Sequence, residues 1–353
     1  TGNLHLTTRQ DIQIHFVSLD RTPELWAKLE QDDITLREAC GNTVRNITAS
    51  PTSGIDPKEL FDVSPHADAA FRYFLRNPIC QEMGRKIKMS FSNTEEDTSL
   101  AYLHDVGFIP KIQNGTRGFK VVVGGGLGAQ PMLAHTAYEF LAEDQVIPFI
   151  ESVLRVFDRH GERNSRHKAR MKFLIQKIGF EEFMNLVNAE TKALKNHSFA
   201  IADASAWEVA EPTLTADIAA PETAEYQTWI DTNTFEQKQA GFHAVYVRIL
   251  NGNISSDTSR SLIEALKGYI GDDIRITINQ GLMLKFVPTA NLPYVFQVLN
   301  AHGLAAPGAN SIANITACPG TDTCNLAISD STNITSKLEQ VINEEFPALI
   351  HDS

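Results

Sequence analysis

Long apolar runs are missing from this chain of 353 residues. A membrane-spanning helix needs about 18 or more consecutive apolar residues, whereas runs such as Val121–Val123 are short and cut by glycine. No signal peptide is expected in the residues given, because Thr1-Gly2-Asn3-Leu4-His5 already reads as a strand. Nor does it begin with methionine, so the natural N-terminus is expected upstream. Cysteine is scarce: Cys40 and Cys80 stand apart and Cys318 and Cys324 form a C-x5-C pair. That is not a secreted disulfide framework, and a reducing, cytoplasmic setting is the expectation. Positive charge is in deficit, with a net charge of −12, which argues against nucleic acid or an anionic membrane as the main partner. Low-complexity tracts are absent too. The length suffices for two or three domains with real cores.

What the chain does have is a repeat. At an offset of 270, Leu6-Thr7-Thr8-Arg9-Gln10-Asp11-Ile12-Gln13-Ile14-His15-Phe16-Val17 matches Ile276-Thr277-Ile278-Asn279-Gln280-Gly281-Leu282-Met283-Leu284-Lys285-Phe286-Val287 in Thr, Gln, Phe and Val. Pro23 matches Pro293 at the same offset, each opening a helical stretch. After a two-residue deletion, Asn46–Pro51 falls on Asn314–Pro319 as N-I-T-A-x-P. Three matches in one order indicate an internal duplication. Copy two reads as strand His243–Leu250, amphipathic helix Ser256–Tyr269, strand Ile274–Val287 and helix Leu292–Leu299. This β-α-β-α unit resembles part of a ferredoxin-like fold. Copy one lacks the matching first strand and helix.

Basic residues gather in four short segments despite the net charge. If residues 6–17 form one strand, Thr7, Arg9, Asp11, Gln13 and His15 share a face and Leu6, Ile12, Ile14 and Phe16 the other. Such a strand is either half-exposed or a donor-lined wall for an anion. Arg45 follows Gly41-Asn42, beside Asn46, in an expected turn. Arg85-Lys86-Ile87-Lys88 leads a strand in which Lys86 and Lys88 point away from Ile87, Met89 and Phe91. An anion between two lysines would relieve their repulsion, and a solvated edge strand is the plainer alternative. Arg163, Arg166 and Arg170 are spaced i, i+3, i+7 to share one side of a helix, and Lys172 belongs to the same segment. Basic helix faces are usually only solvated.

Phe119–Val123 runs into Gly124-Gly125-Gly126-Leu127-Gly128-Ala129, a formal match to the dinucleotide-binding fingerprint. After it come Pro131 and helical text through Phe157, with no second parallel strand expected. Glycines that let backbone approach a large flat ligand fit better. Cys318-Pro319-Gly320-Thr321-Asp322-Thr323-Cys324 is rich in turn residues. Two thiolates there could ligate a metal or cluster, but a [4Fe–4S] cluster takes four. Cys40 and Cys80 read as buried structural cysteines.

Thr7–Gln10, Gly41–Asn46, Arg85–Lys88, Gly124–Gly128 and Cys318–Cys324, in this order and on a duplicated frame, resemble the siroheme- and [4Fe–4S]-containing sulfite/nitrite reductases. The resemblance covers nearly the whole chain. It implies an α+β fold: a pseudo-two-fold duplication of a ferredoxin-like half-domain plus an α+β siroheme/4Fe–4S domain, the second copy truncated. Expected boundaries are 1–35 for part of the first half-domain and 36–195 for the first siroheme- and anion-binding domain. A linker at 196–238, the second half-domain at 239–305 and the start of the cluster-binding domain at 306–353 follow. By the same resemblance Arg9, Arg45, Lys86 and Lys88 hold the anion and are the catalytic set. Gln13, His15, Asn46, Arg85, Gly124, Gly125, Gly126, Gly128, Arg163, Arg166, Arg170 and Lys172 help hold siroheme, whose carboxylates would use the donors. Cys318 and Cys324 are the metal ligands.

The implied reaction is six-electron reduction of sulfite to sulfide or nitrite to ammonia, with a ferredoxin or a flavoprotein as electron donor. Lys88 leans the reading to sulfite, since nitrite enzymes of the family often carry asparagine there. Copy two has Asn279 and Ala313 where copy one has Arg9 and Arg45, and Cys318 where copy one has Ser50. One copy is thus expected to bind the anion and the other the cluster. The family's second pair, C-x3-C, is absent, and its last cysteine bridges cluster and siroheme iron. The cluster site is therefore incomplete in this chain, which alone is expected to be inactive. The rival readings are a non-catalytic siroheme-binding remnant and a dinucleotide oxidoreductase using Gly124–Gly128.

Overall fold

Ile87, Met89 and Phe91 alternate with Lys88 and Ser90, a period of two that makes a strand with one apolar face. The structure is a computed structural model and describes residues 2–203 and 209–351. Its elements begin with β1 (Asn3–Leu6), β2 (Ile12–Gln13), α1 (Thr22–Glu30), β3 (Val44–Ala49), α2 (Ser64–Phe74) and β4 (Ile87–Phe91). Next come β5 (Val106–Gln113), β6 (Thr116–Val123), β7 (His135–Ala142), α3 (Val146–His160), α4 (Met171–Ile178) and α5 (Phe180–Ala193). Then follow α6 (Ala224–Asn233), β8 (Thr234–Glu236), β9 (Phe242–Val247), β10 (Asn253–Ser255) and α7 (Ser256–Leu266). The last are β11 (Ile274–Ile276), β12 (Leu282–Pro288), α8 (Leu292–Ala301) and α9 (Ser331–Glu345). The fold is α+β and divides into two units, Thr1–Thr22 with Glu208–Ser353, and Pro23–Trp207.

The unit Pro23–Trp207 is built on a sheet of order β3-β4-β5-β6-β7, in which β3, β4 and β5 run parallel and β6 and β7 antiparallel. Phe91 stacks on Phe108 with ring centroids 4.5 Å apart, and Phe119 meets both edge-on at 5.8 Å. With Val121, Val123 and the apolar side of α3, these rings form the core. Central placement gives β4 partners on both edges, so Lys88 lies in register with Asn46 of β3.

The unit Thr1–Thr22 with Glu208–Ser353 contains the sheets β10-β1-β2 and β11-β12-β9-β8. The repeat is visible here as the same hairpin made twice. Neither 6–17 nor 274–287 is one strand, as alternation suggested. In copy one Thr7 N donates to Asp11 O at 2.9 Å and Gln10 N to Thr7 O at 3.1 Å. In copy two Thr277 N donates to Gly281 O at 2.9 Å and Gln280 N to Thr277 O at 3.2 Å. Each turn threonine also accepts backbone N–H groups, from Arg9 and Asp11 in the first and Gly281 in the second. Left-handed residues recur at the offset of 270: Gln10 (φ 59°) and Gln280 (60°), Phe16 (56°) and Phe286 (53°), Asp33 (57°) and Gly303 (68°). A left-handed conformation costs a non-glycine residue about 1–2 kcal/mol, so shared positions of it mark a shared backbone.

The hairpin changes which side chains share a face. Arg9 sits in the turn rather than on a strand with Gln13 and His15. The supposed apolar face is not buried either, since Leu6 is enclosed but Ile12 is 49% and Phe16 78% exposed. Helical text after Pro131 holds a strand, β7, before α3 begins. Arg45 lies on β3, not in a turn. Of the expected linker at 196–238, residues 204–208 lie outside the described residues. Its far end, 224–236, is α6 and β8, and Trp229 of α6 is fully buried in its unit.

Phe119 is fully buried and meets Phe61, Phe91, Phe108 and His66 edge-on, so Phe119→Ala should lower the unfolding free energy by about 3–5 kcal/mol. Urea denaturation followed by circular dichroism measures it.

Candidate functional site

Asp105 sits where three segments of the unit Pro23–Trp207 meet, and it is fully buried. Its carboxylate accepts two bonds from the Arg170 guanidinium, 3.2 Å from Nε and 2.7 Å from Nη2. The Lys88 backbone N–H also donates to it at 2.9 Å. Its own N–H donates to Lys88 O at 3.1 Å, and its carbonyl takes the Gly124 N–H at 2.8 Å. One residue thus ties β4, the glycine segment and the N-terminus of α4. Burial pushes the Asp105 carboxyl above the ordinary carboxylate range, while Arg170 and Lys88 pull it back. Sequence reading missed this residue; its signal was an acid next to an apolar strand.

Around this anchor stands a crowd of cations. Lys86 has Arg45, Arg85 and Arg170 as electrostatic neighbours, with Asp105 acting the other way. Burial first, and then those arginines, hold the Lys86 ammonium below the ordinary lysine range. Arg85 is lowered as well, by burial and then by Arg166, Arg170 and Arg45. Three of the four segments therefore converge within one unit, and Lys88 joins them through Asp105. Asn46 lies in register with Lys88 on β3.

The fourth segment is not a helix before Met171. Helix α3 ends at His160, and the Glu162 carboxylate accepts the Asn164 and Ser165 N–H groups at 2.6 and 3.1 Å, which turns the chain. Arg166 falls in a short 3-10 turn and Arg170 caps α4. Arg163 points elsewhere, bonding Glu82 O at 2.8 Å and Asp158 Oδ1 at 2.5 Å. Beside it lies a cavity of about 320 Å³ lined by Gly41, Asn42, Thr43 and Gly84. Lys172 is buried and donates to Gly126 O, Leu127 O and Gln130 O at 3.2, 3.1 and 2.6 Å. Its ammonium holds the glycine segment in shape.

The glycines divide. A Cβ on Gly124 would lie 2.5 Å from Ile175 Cδ1, and one on Gly125 2.2 Å from Tyr102 O. Packing inside the protein accounts for both. Gly128 has open space and a φ of 110°, and the segment around it is exposed. Strand β6 is antiparallel to both its neighbours, which removes the parallel β-α-β frame of a dinucleotide fold.

In the other unit, Arg9 is half-buried in its turn and donates to Thr8 O at 2.7 Å. Gln13 is exposed on β2 in register with His5. The His15 ring lies 5.9 Å from that of His5, and burial, then His5, lowers its pKa. Cys318 and Cys324 are exposed on their loop, with Cys324 N donating to Gly320 O at 3.1 Å. Cys80 is buried, but Cys40 is exposed, contrary to expectation, on a surface loop.

A family model described as "Nitrite and sulphite reductase 4Fe-4S domain" matches residues 40–195, and one described as "Nitrite/Sulfite reductase ferredoxin-like half domain" matches 1–32 and 235–302. The chain belongs to the sulfite/nitrite reductase family. It is 28% identical over 328 residues to sulfite reductase [ferredoxin] 1 of Mycolicibacterium paratuberculosis, covering 92% of this chain and 55% of that one. Over 361 residues it is 28% identical to the assimilatory ferredoxin-dependent nitrite reductase of Haloferax mediterranei, covering 99% and 59%. It is 27% identical to ferredoxin–nitrite reductase of Synechococcus elongatus, covering 99% and 66%. The chain thus spans 55–66% of the length of these curated relatives. The solved NirA protein of Mycobacterium tuberculosis shares the fold at a TM-score of 0.81 and 24% identity, covering 99% of this chain and 60% of that one.

The family implies siroheme and a [4Fe–4S] cluster. Mutually repelling arginines and lysines are the donor chemistry that a carboxylate-rich tetrapyrrole neutralises, so the cation crowd fits siroheme. The cluster does not fit as a whole. Among the described residues no group of three or more His, Cys, Asp or Glu side chains gathers as a metal site, and the cysteine loop offers two thiols.

Burial and nearby carboxylates raise the Cys80 thiol to about 12, so it should stay unreactive at neutral pH. Thiol titration of the native chain should find Cys40, Cys318 and Cys324, and Cys80 only after denaturation. The lowered Lys86 pKa means the folded chain binds that proton less tightly than the unfolded one. The cost of burying that charge and of its repulsion by the arginines is present at neutral pH and vanishes as pH rises past the folded and then the unfolded pKa. Lys86→Gln should therefore raise the low-salt unfolding free energy at neutral pH by up to about 1 kcal/mol, read as a higher thermal midpoint. The gain should shrink in high salt and at alkaline pH.

Proposed function

We propose that this chain is the oxyanion- and siroheme-binding portion of a siroheme-dependent reductase acting on sulfite in preference to nitrite. The observation that carries the reading is the convergence of Arg45, Arg85, Lys86 and Arg170 on one another, with Lys88 anchored beside them at Asp105. The names of the relatives, which include both sulfite and nitrite reductases, support the chemistry. Arg9 is included on the resemblance of its T-T-R-Q motif alone. Siroheme, when bound, would supply the iron at which the oxyanion is reduced. This chain's own residues would hold the anion and deliver protons while oxygen leaves as water. Lys86 suits proton delivery because burial and three arginines weaken its grip on its proton. The reduction consumes six electrons, and the ferredoxin in the relatives' names makes a small iron–sulfur protein the favoured donor over a flavoprotein.

The test is the Lys86→Ala/Lys88→Ala pair in a full-length enzyme containing this chain. Sulfite turnover should fall at least about a thousandfold, the scale of losing charge stabilisation and a proton donor together. The siroheme absorption spectrum should persist. Unchanged turnover would refute the assignment, and a lean to nitrite would appear as the larger kcat/KM for that anion.

A further inference from the structure

Gln280 belongs to copy two, which has lost the arginine, yet its side chain is buried, at 2% exposure. Its Nε2 donates to Leu6 O at 3.1 Å, on the strand that enters the Arg9 turn. Its Oε1 accepts the Ala317 N–H at 2.8 Å, one residue before Cys318. The two neighbours fix the amide's orientation, because a carbonyl can only accept and a backbone N–H can only donate. Gln10 answers from copy one by donating to Ile276 O at 2.9 Å. Leu6 and Ile276 are equivalent at the offset of 270, so the two glutamines reach across to each other's strand. Gln280 adds a second bond, to the segment that enters the cysteine loop. Gly252 leaves room for this junction, since a Cβ there would stand 2.5 Å from Leu6 O and 3.1 Å from Gln280 Nε2.

We propose that Gln280 is a positioning residue, coupling the turn that carries Arg9 to the loop that carries Cys318 through the two ends of one buried amide. Movement of either segment strains the bond to the other. The inference rests on the proposed function for what Arg9 and Cys318 do, but the coupling itself is a property of this chain. Glutamate as the carboxylate, at a pH well above its own pKa, keeps the acceptor for Ala317 and loses the donor to Leu6, so it separates the two bonds. Methionine has a similar shape and keeps neither.

Hydrogen–deuterium exchange on the whole 353-residue chain tests it. In the unaltered protein the amides of Gln10 and Ala317 should open together, with the same denaturant dependence. In Gln280→Met both the 7–11 and the 314–318 segments should exchange about tenfold faster, as expected for losing a buried hydrogen bond. In Gln280→Glu the 314–318 segment should return to normal protection while 7–11 stays fast. That one-sided rescue is what a general loss of packing would not produce. Independent opening in the unaltered chain, or equal effects of Gln280→Glu on both segments, would overturn the coupling. If Gln280→Met does not fold, the unaltered chain and Gln280→Glu still decide. Adding sulfite separates the two ideas: no added protection at 7–11 counts against Arg9 as an anion ligand and leaves the exchange result standing.

Discussion

The unit Pro23–Trp207 depends on a buried carboxylate that cannot be left alone. Removing an ionised group from water costs several kcal/mol unless it is paired and hydrogen-bonded. Asp105 meets that demand with the Arg170 fork and the Lys88 backbone N–H. Because those partners lie on different segments, satisfying the carboxylate fixes where β4 begins and which way Arg170 faces. Asp105 is the acid that opposes the arginines around Lys86, and one carboxylate cannot neutralise them all. An oxyanion or a carboxylate-bearing cofactor is what such a field selects.

The duplicated hairpins show how one backbone diverges in chemistry. Thr7 and Thr277, and Gln10 and Gln280, keep the turn, so the backbone needs both residues. Between them Arg9 is replaced by Asn279, which bonds Asn310 at 2.8 Å instead. The place of Arg45 is taken by Ala313, which is fully buried. Ser50 is buried against Thr52 at 3.0 Å, and Thr52 also receives Asn93 Nδ2 at 3.0 Å. Its counterpart Cys318 is exposed. Copy one has closed this position with hydroxyls and kept its cations; copy two has lost the cations and opened the position to a thiol.

Much of this was legible in the sequence, for reasons that differ by residue. The repeat and the strand at Ile87–Phe91 follow from period and spacing, which the backbone obeys locally. The turn at Thr7–Gln10 did not, because alternation continues in phase through a hairpin whose turn needs a left-handed glutamine that no composition rule marks. The basic run at 163–170 looked helical by spacing, but Glu162 captures the N–H groups that a helix would have used. Strand β7 was hidden in helix-compatible text and is set by pairing with β6. Asp105 is a long-range fact: its partners are 17 and 65 residues away in sequence.

Arginine and lysine do different work in this arrangement. A guanidinium stays charged at any accessible pH, so Arg45, Arg85 and Arg170 supply a field that does not switch off. Lysine can lose its proton, and burial together with that field makes Lys86 more willing to do so. On the proposed reading this separates holding from giving: the arginines keep the anion in place while Lys86 gives a proton as each oxygen departs. Replacing Lys86 by arginine would preserve the charge and remove the labile proton. Replacing an arginine by lysine would leave two labile groups sharing one field, each weakening the other's charge. The division therefore follows from which cation is buried among which. The resting repulsion it entails is the stability cost of keeping one proton loosely held.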